Sequence, residues 1–179
     1  MMSSNKIVRI IVILLILCAN VGCDQVSKHI VRRNVAYHEN ITVIKNFITL
    51  TKVENTGAFL SLGDSLPKAV SIILLTILPF IILGLGLIYI FTVSKLSNLR
   101  MVAICLIIGG GFGNIFDRAV YGSVTDFLHM NFGIFRTGVF NVADVSIMTG
   151  MFMILFETYV LGRRKMIQTV DNNIDSFEE

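Results

Sequence analysis

Charge is scarce in this chain. Lysine, arginine, aspartate and glutamate make up 15% of its 179 residues, where soluble domains carry about a quarter. That excludes a disordered chain, a basic protein that coats nucleic acid and most cytosolic enzymes. Cysteine is scarce too: Cys18, Cys23 and Cys105 make no disulfide framework and have no CxxC or Cys/His zinc spacing. His29, His38 and His129 are scattered, without an HExxH motif, so neither a metal centre nor a cofactor is expected. A phosphate loop is missing as well. Gly109-Gly-Gly-Phe-Gly113 lacks the Lys-Ser/Thr ending and follows an apolar run rather than a strand; its small residues suit close helix approach. Ser65-Leu-Pro-Lys68 has an S-x-x-K outline, but its composition is that of a turn and no other serine-enzyme motif accompanies it.

What the chain does have is long apolar runs, within a composition that is 54% hydrophobic. Residues 7–23, 69–93, 101–116 and 139–161 each approach the roughly 20 helical residues that cross a bilayer. Pro79 inside the second is tolerable in a membrane helix. The fold class expected is a membrane all-α bundle of four transmembrane helices, forming one domain over residues 1–165. An acidic, solvated tail follows at 166–179. Residues 24–68 are mostly polar, and Phe47–Glu54 reads as a strand rich in β-branched residues. With turns at Asn55–Ala58 and Gly63–Ser65, a small extramembrane β element is expected around residues 34–66.

Four spans leave both termini on one side. With the N-terminus in the cytoplasm, Lys6, Arg9, Lys95, Arg100 and Arg163-Arg164-Lys165 hug cytoplasmic helix ends, as the positive-inside rule favours. The opposing six lysines and arginines of residues 24–68 nearly balance them by count. Val21-Gly22-Cys23 also has the outline of a lipidated signal-peptide end, but Asn20 stands where such signals carry a leucine-like residue, so an ordinary first helix is expected.

Ionisable groups at membrane depth need a partner, a wet pocket or a task. Asn114, Asp117 and Arg118 fall at i, i+3 and i+4 and share a helix face, while Asn141 and Asp144 repeat the i, i+3 spacing. Asp126 lies between the two sets, and by topology Asp24 and Asn55 lie at the same end of the bundle. Glu157 lies 13 residues beyond Asp144, about 20 Å along a helix, and is expected to snorkel or cap at the opposite end. The structural readings are an Asp117–Arg118 ion pair, or caps at those two residues, closing the end of the third span, and helix caps at Asp126 and Asp144. The cap reading is weak for Asp144, which lies several residues into an apolar run. The chemical reading is a carboxylate pair that shares a proton, one member activating water while the other donates a proton. Spacing permits Asp126 and Asp144 to meet. A small transporter would place its carboxylates near the midplane, and a non-catalytic assembly factor would use the polar residues only for packing.

Five segments in order resemble the lipoprotein signal peptidases (signal peptidase II), bacterial inner-membrane aspartic peptidases: Asp24-Gln-Val-Ser-Lys28, Asn55-Thr-Gly-Ala-Phe59, Gly113-Asn-Ile-Phe-Asp-Arg118, Val124-Thr-Asp-Phe127 and Phe140-Asn-Val-Ala-Asp144. The second departs slightly, with Phe59 where the family often has another alanine. The resemblance implies catalytic aspartates at Asp126 and Asp144. It also implies substrate-binding or supporting roles for Asp24, Lys28, Asn55, Asn114, Arg118 and Asn141, with Asp117 in support. The substrate implied is a prolipoprotein cut just before its diacylglyceryl cysteine. Membrane lipid and globomycin-type inhibitors are the other partners implied, and nucleic acid is not one. The same resemblance implies cytoplasmic termini and a periplasmic β element close to the active site.

Overall fold

The computed structural model describes residues 4–37, 39–57, 66–93 and 95–178, with side chains placed between 6 and 162. Among the described residues, four helical segments are long and apolar enough to cross a membrane: Lys6–Asn34, Lys68–Thr92, Asn98–Tyr121 and Val142–Gly162. The first lies in α1 (Ser4–Asn34), which passes through Cys23 without a break and ends 11 residues beyond the apolar run. The second is continuous through α2 (Lys68–Ile72), a π-helical turn (Ile73–Ile77) and α3 (Leu78–Thr92). Pro79 explains the wider turn, because its ring would crowd the carbonyl four residues earlier in a regular helix.

The third span is α4 (Asn98–Tyr121). Ser97 caps it by accepting from Arg100 N–H, and Gly122 ends it in the left-handed region at φ 77°. The fourth lies in α5 (Val142–Glu178). Its backbone continues as helix where a solvated tail is expected, because no proline or glycine after Gly162 interrupts it.

Glycines let these helices touch. A Cβ on Gly110 would lie 2.5 Å from Ala143 O, and one on Gly150 would lie 2.5 Å from Ala103 O, so α4 and α5 pack nearly backbone to backbone. Ile13, Ile90, Met101 and Cys105 form the apolar core toward the end where α1 begins. There Arg9 donates to Ile90 O at 3.1 Å and to Val93 O, closing the C-terminus of α3.

The other end carries a four-stranded antiparallel sheet in the order β1 (Asn40–Ile44), β2 (Ile48–Asn55), β3 (Val124–Asn131), β4 (Arg136–Phe140). The expected strand at Phe47–Glu54 is β2. Half of the sheet, however, comes from the segment between the third and fourth spans, outside the expected 34–66 region. Val139 and Phe140 accordingly belong to β4 and not to the fourth span. Ala58 and Gly63–Ser65 lie outside the described residues.

Candidate active site

The polar residues gather where α1, α4, the sheet and the start of α5 converge, in two adjoining groups. The first is a closed ion cluster. Asp24 and Lys28, one turn apart on α1, pair at 2.8 Å and are both fully buried. Lys28 Nζ also reaches Asp117 Oδ2 at 3.2 Å, and Arg32, a further turn along, reaches the same oxygen at 2.8 Å. Gln25 Nε2 donates to both Asp24 and Asp117. Asp24 Oδ1 accepts from the backbone N–H of Ala143 at 3.0 Å, tying the start of α5 to α1.

Asp117 therefore pairs with Lys28 and Arg32 of α1, and of the two structural readings the Asp117–Arg118 ion pair does not form. Arg118 turns to the other side and donates to Gly57 O at 2.9 Å. Side chains at i and i+1 point 100° apart on a helix, so within the broad face they share with Asn114 the two turn toward different neighbours.

The second group holds Asp126 and Asp144. Asp126 lies inside β3 opposite Val53 of β2, so it terminates no helix, contrary to the cap expectation. It is 3% exposed. Asn55 Nδ2 donates to its Oδ2 at 3.0 Å, and Asn141 Nδ2 donates to its Oδ1 at 2.6 Å. Asp144 sits in the first turn of α5 and does cap. Its backbone N–H donates to Asn141 Oδ1 at 3.0 Å while Asn141 N–H donates to Asp144 Oδ2 at 3.1 Å, a reciprocal capping box. Its other oxygen accepts from Asn114 Nδ2 at 2.9 Å.

Two asparagines thus bridge the carboxylates. Asn114 Oδ1 accepts from Lys28 Nζ at 2.9 Å and from Asn141 Nδ2 at 3.1 Å, which turns its own amide N–H toward Asp144. Asp126 and Asp144 line one cavity of about 240 Å³, together with Asn55, Asn114 and Arg118. Leu75 of the π-helical turn and Pro79 form part of its wall. Burial holds the Asp126 carboxyl well above the ordinary range, at about 6, and the Asp144 charge adds to this. The amide donors Asn55 and Asn141 and the more distant Lys28 pull the other way.

All nine residues singled out from the sequence for this site, Asp117 included, meet at this end of the bundle. Four more belong with them. Arg32 donates to Thr125 Oγ1 at 2.8 Å and stacks over Tyr121 at 3.9 Å. Thr125 donates in turn to Glu54 Oε1 at 2.9 Å. Arg32 thus ties β3 to α1 and Glu54 ties it to β2, beside Asp126, while Gln25 ties α1 to α4 through Gly113 O and Asp117. Arg32 follows Lys28 by four residues as Lys28 follows Asp24, a spacing visible in the sequence. Thr125 lies within the Val124–Phe127 segment already singled out, but nothing in the sequence marks Glu54 as its partner. Glu157 lies at the far end as expected, but it is paired, not snorkelling: it binds Arg100 Nε at 2.7 Å and Ser97 Oγ.

Four spans and a sheet closed over a polar cavity define a membrane-embedded enzyme architecture. It is shared with two bacterial membrane enzymes whose structures were solved by the in meso method. One superposes with a TM-score of 0.74 at 28% identity, over 83% of this chain and 87% of that one. The other gives 0.70 at 28%, over 82% and 92%. The family model for signal peptidase (SPase) II matches residues 11–160. The lipoprotein signal peptidase of Solibacter usitatus is 33% identical over 139 residues, 75% of this chain and 82% of that protein. The chain belongs to the signal peptidase II family.

Proposed function

We propose that the protein removes signal peptides from diacylglyceryl-modified prolipoproteins, cutting before the lipidated cysteine, and that Asp126 and Asp144 perform the hydrolysis as an aspartic dyad. The observation that carries this reading is that two carboxylates from different elements face one cavity and, among the described residues, are held by amides and a backbone N–H and not by a cation. Asp126, buried and pushed up to about 6, keeps the shared proton. Asp144 sits at a helix N-terminus, where negative charge is favoured, and acts as the base.

The steps balance without a cofactor. Asp144 takes a proton from water as the water oxygen bonds to the scissile carbonyl carbon, and Asp126 hydrogen-bonds the carbonyl oxygen. The carbon–nitrogen bond then breaks as a proton passes to the leaving amine. The products are a signal peptide with a free carboxylate and a lipoprotein with a free amino-terminal cysteine. Asn55, Asn114 and Asn141 fix the carboxylates, Asp24 and Lys28 fix Asn114 and the start of α5, and Arg118 faces the substrate.

Residues 1–165 act as one peptidase domain in the bacterial inner membrane. Both termini are cytoplasmic and the sheet is periplasmic, as the basic helix ends favour. A substrate anchored by its acyl chains arrives in the plane of the membrane, so a dyad at the end of the spans meets both lipid and water. Globomycin-type peptides compete for the cavity.

The test is a gel-shift cleavage assay on a purified diacylglyceryl prolipoprotein, comparing wild type with Asp126→Asn and Asp144→Asn. Cleavage by wild type and by neither folded variant is the expected result. Near-full activity in either variant would remove that residue from the dyad.

A further inference from the structure

The end of the sheet farthest from the carboxylates is bare and apolar. Two turns meet there, 45–47 between β1 and β2 and 132–135 between β3 and β4. Asn131 N–H donates to Phe47 O at 2.8 Å, and the rings of Phe47 and Phe132 meet edge to face with centroids 4.8 Å apart. The second turn is built tightly. Phe132 N–H donates to Phe135 O at 2.7 Å, Gly133 N–H donates to Asn131 Oδ1 at 3.0 Å, and Gly133 takes a positive φ of 80°. This rigid tip leaves Ile134 103% and Phe135 74% exposed.

What covers the tip follows from where the hairpin lies. A groove of about 480 Å³ has Met130, Thr137 and Phe140 of the β3–β4 hairpin on one side and Met148 and Phe152 of α5 on the other. Phe152 is ten residues into α5, about 15 Å along the helix. The hairpin therefore runs along the flank of the fourth span and does not rise off its end. Its tip is carried toward the lipid that surrounds that span, where Met148, Met151 and Phe152 also face outward. Lys45 and Arg136 flank the apolar residues, and neither turn contains an acidic one. Apolar and aromatic groups bordered by basic ones are what the headgroup region of a bilayer accepts.

We propose that the two turns form a lipid-insertion tip, with Phe132, Ile134 and Phe135 seated in the headgroup region and upper acyl chains of one leaflet and Lys45 and Arg136 at phosphate level. The sheet is then held at both ends, by α4 and α5 at one and by lipid at the other. Asp126, on the central strand β3, stays at a fixed depth.

The chain contains no tryptophan, so Ile134→Trp gives a single reporter in the full-length protein. It is reconstituted into phosphatidylethanolamine/phosphatidylglycerol vesicles, with and without lipids brominated on the upper acyl chain. The expected emission is blue-shifted from that of N-acetyltryptophanamide, strongly quenched by the brominated lipid and shielded from aqueous iodide. Emission at the free-indole wavelength, quenched by iodide and not by bromolipid, would overturn the proposal. Shielding from both quenchers that is lost on diluting the protein in lipid would overturn it too, because a second copy would then be the occupant. Phe135→Trp repeats the measurement from the neighbouring side chain, and thermal unfolding confirms that each variant is folded.

Discussion

Asp24 and Asp117 lie beside Asp126 and Asp144, and Asn114 touches both sets. The first two carboxylates are matched by Lys28 and Arg32 in ion pairs of 2.8 to 3.2 Å, fully buried except for the edge of Arg32. The second two have no cation within 4.0 Å among the described residues and open on a cavity. The difference separates architecture from chemistry. A cluster whose charges are matched locks helices together, whereas carboxylates held by amides remain open to water or substrate. Lys28 serves both: its charge stays in the lock, while its hydrogen bond to Asn114 orients the donor that Asp144 receives.

The sharpest way to break this comparison is to neutralise one member of each group. Asp126→Asn and Asp144→Asn should each lower cleavage about a thousandfold, within the range of acid–base contributions, while unfolding remains cooperative. In the lock, Lys28→Met leaves two buried carboxylates short of a cation. It should cost about 3–5 kcal/mol in the unfolding of the detergent-solubilised protein, and adding Asp24→Asn should recover part of that. A Lys28→Met protein of wild-type stability would dissolve the distinction.

Smaller changes sharpen it. Gly110→Ala sets a methyl 2.5 Å from Ala143 O and pushes on the first turn of α5. It should cost about 1–3 kcal/mol of stability and several-fold in kcat, read from unfolding and steady-state cleavage. The pH profile separates the groups next. Because Asp126 is raised to about 6 from 3.8, its contribution to folding is complete below pH 3.8 and is lost as pH rises through about 6. If its protonated form is the working one, cleavage falls on the alkaline side, with an apparent value belonging to the pair. Asn55→Ala removes a donor that favours the ionised carboxyl and so should move that limb to higher pH. The smallest effect is expected at the far end. Arg100→Gln breaks an ion pair whose arginine is 36% exposed and should shift stability by about 1 kcal/mol or less.

Hydropathy made the four spans legible, because the bilayer requires long apolar runs and little else resembles them. It misplaced their ends for two physical reasons. The last third of α1 carries Asp24, Lys28 and Arg32, whose cost vanishes only on meeting Asp117, and no local window sees that far. At the fourth span, Val139 and Phe140 are as apolar as the helix after them, and the change from strand to helix is written only in the cap Asn141. The site residues were legible as a set from motif order and topology. Their partnerships were not. Asp126 opposite Val53 and Asp117 with Arg32 are contacts between distant segments, and Thr125 and Glu54 acquire their roles only through that pairing.

The pairing of Lys28 with Asn114 spans 86 residues, and that of Gln25 with Gly113 spans 88. During synthesis the first span emerges long before its partners, so Asp24 and Lys28 have only each other, and Arg32 meets Asp117 only when the third span arrives. β2 likewise waits as half of a sheet for β3. Asn141 and Asp144, which cap the first turn of α5, arrive only as the fourth span begins. The buried ion cluster and the cavity beside it therefore form only when segments far apart in the chain have met.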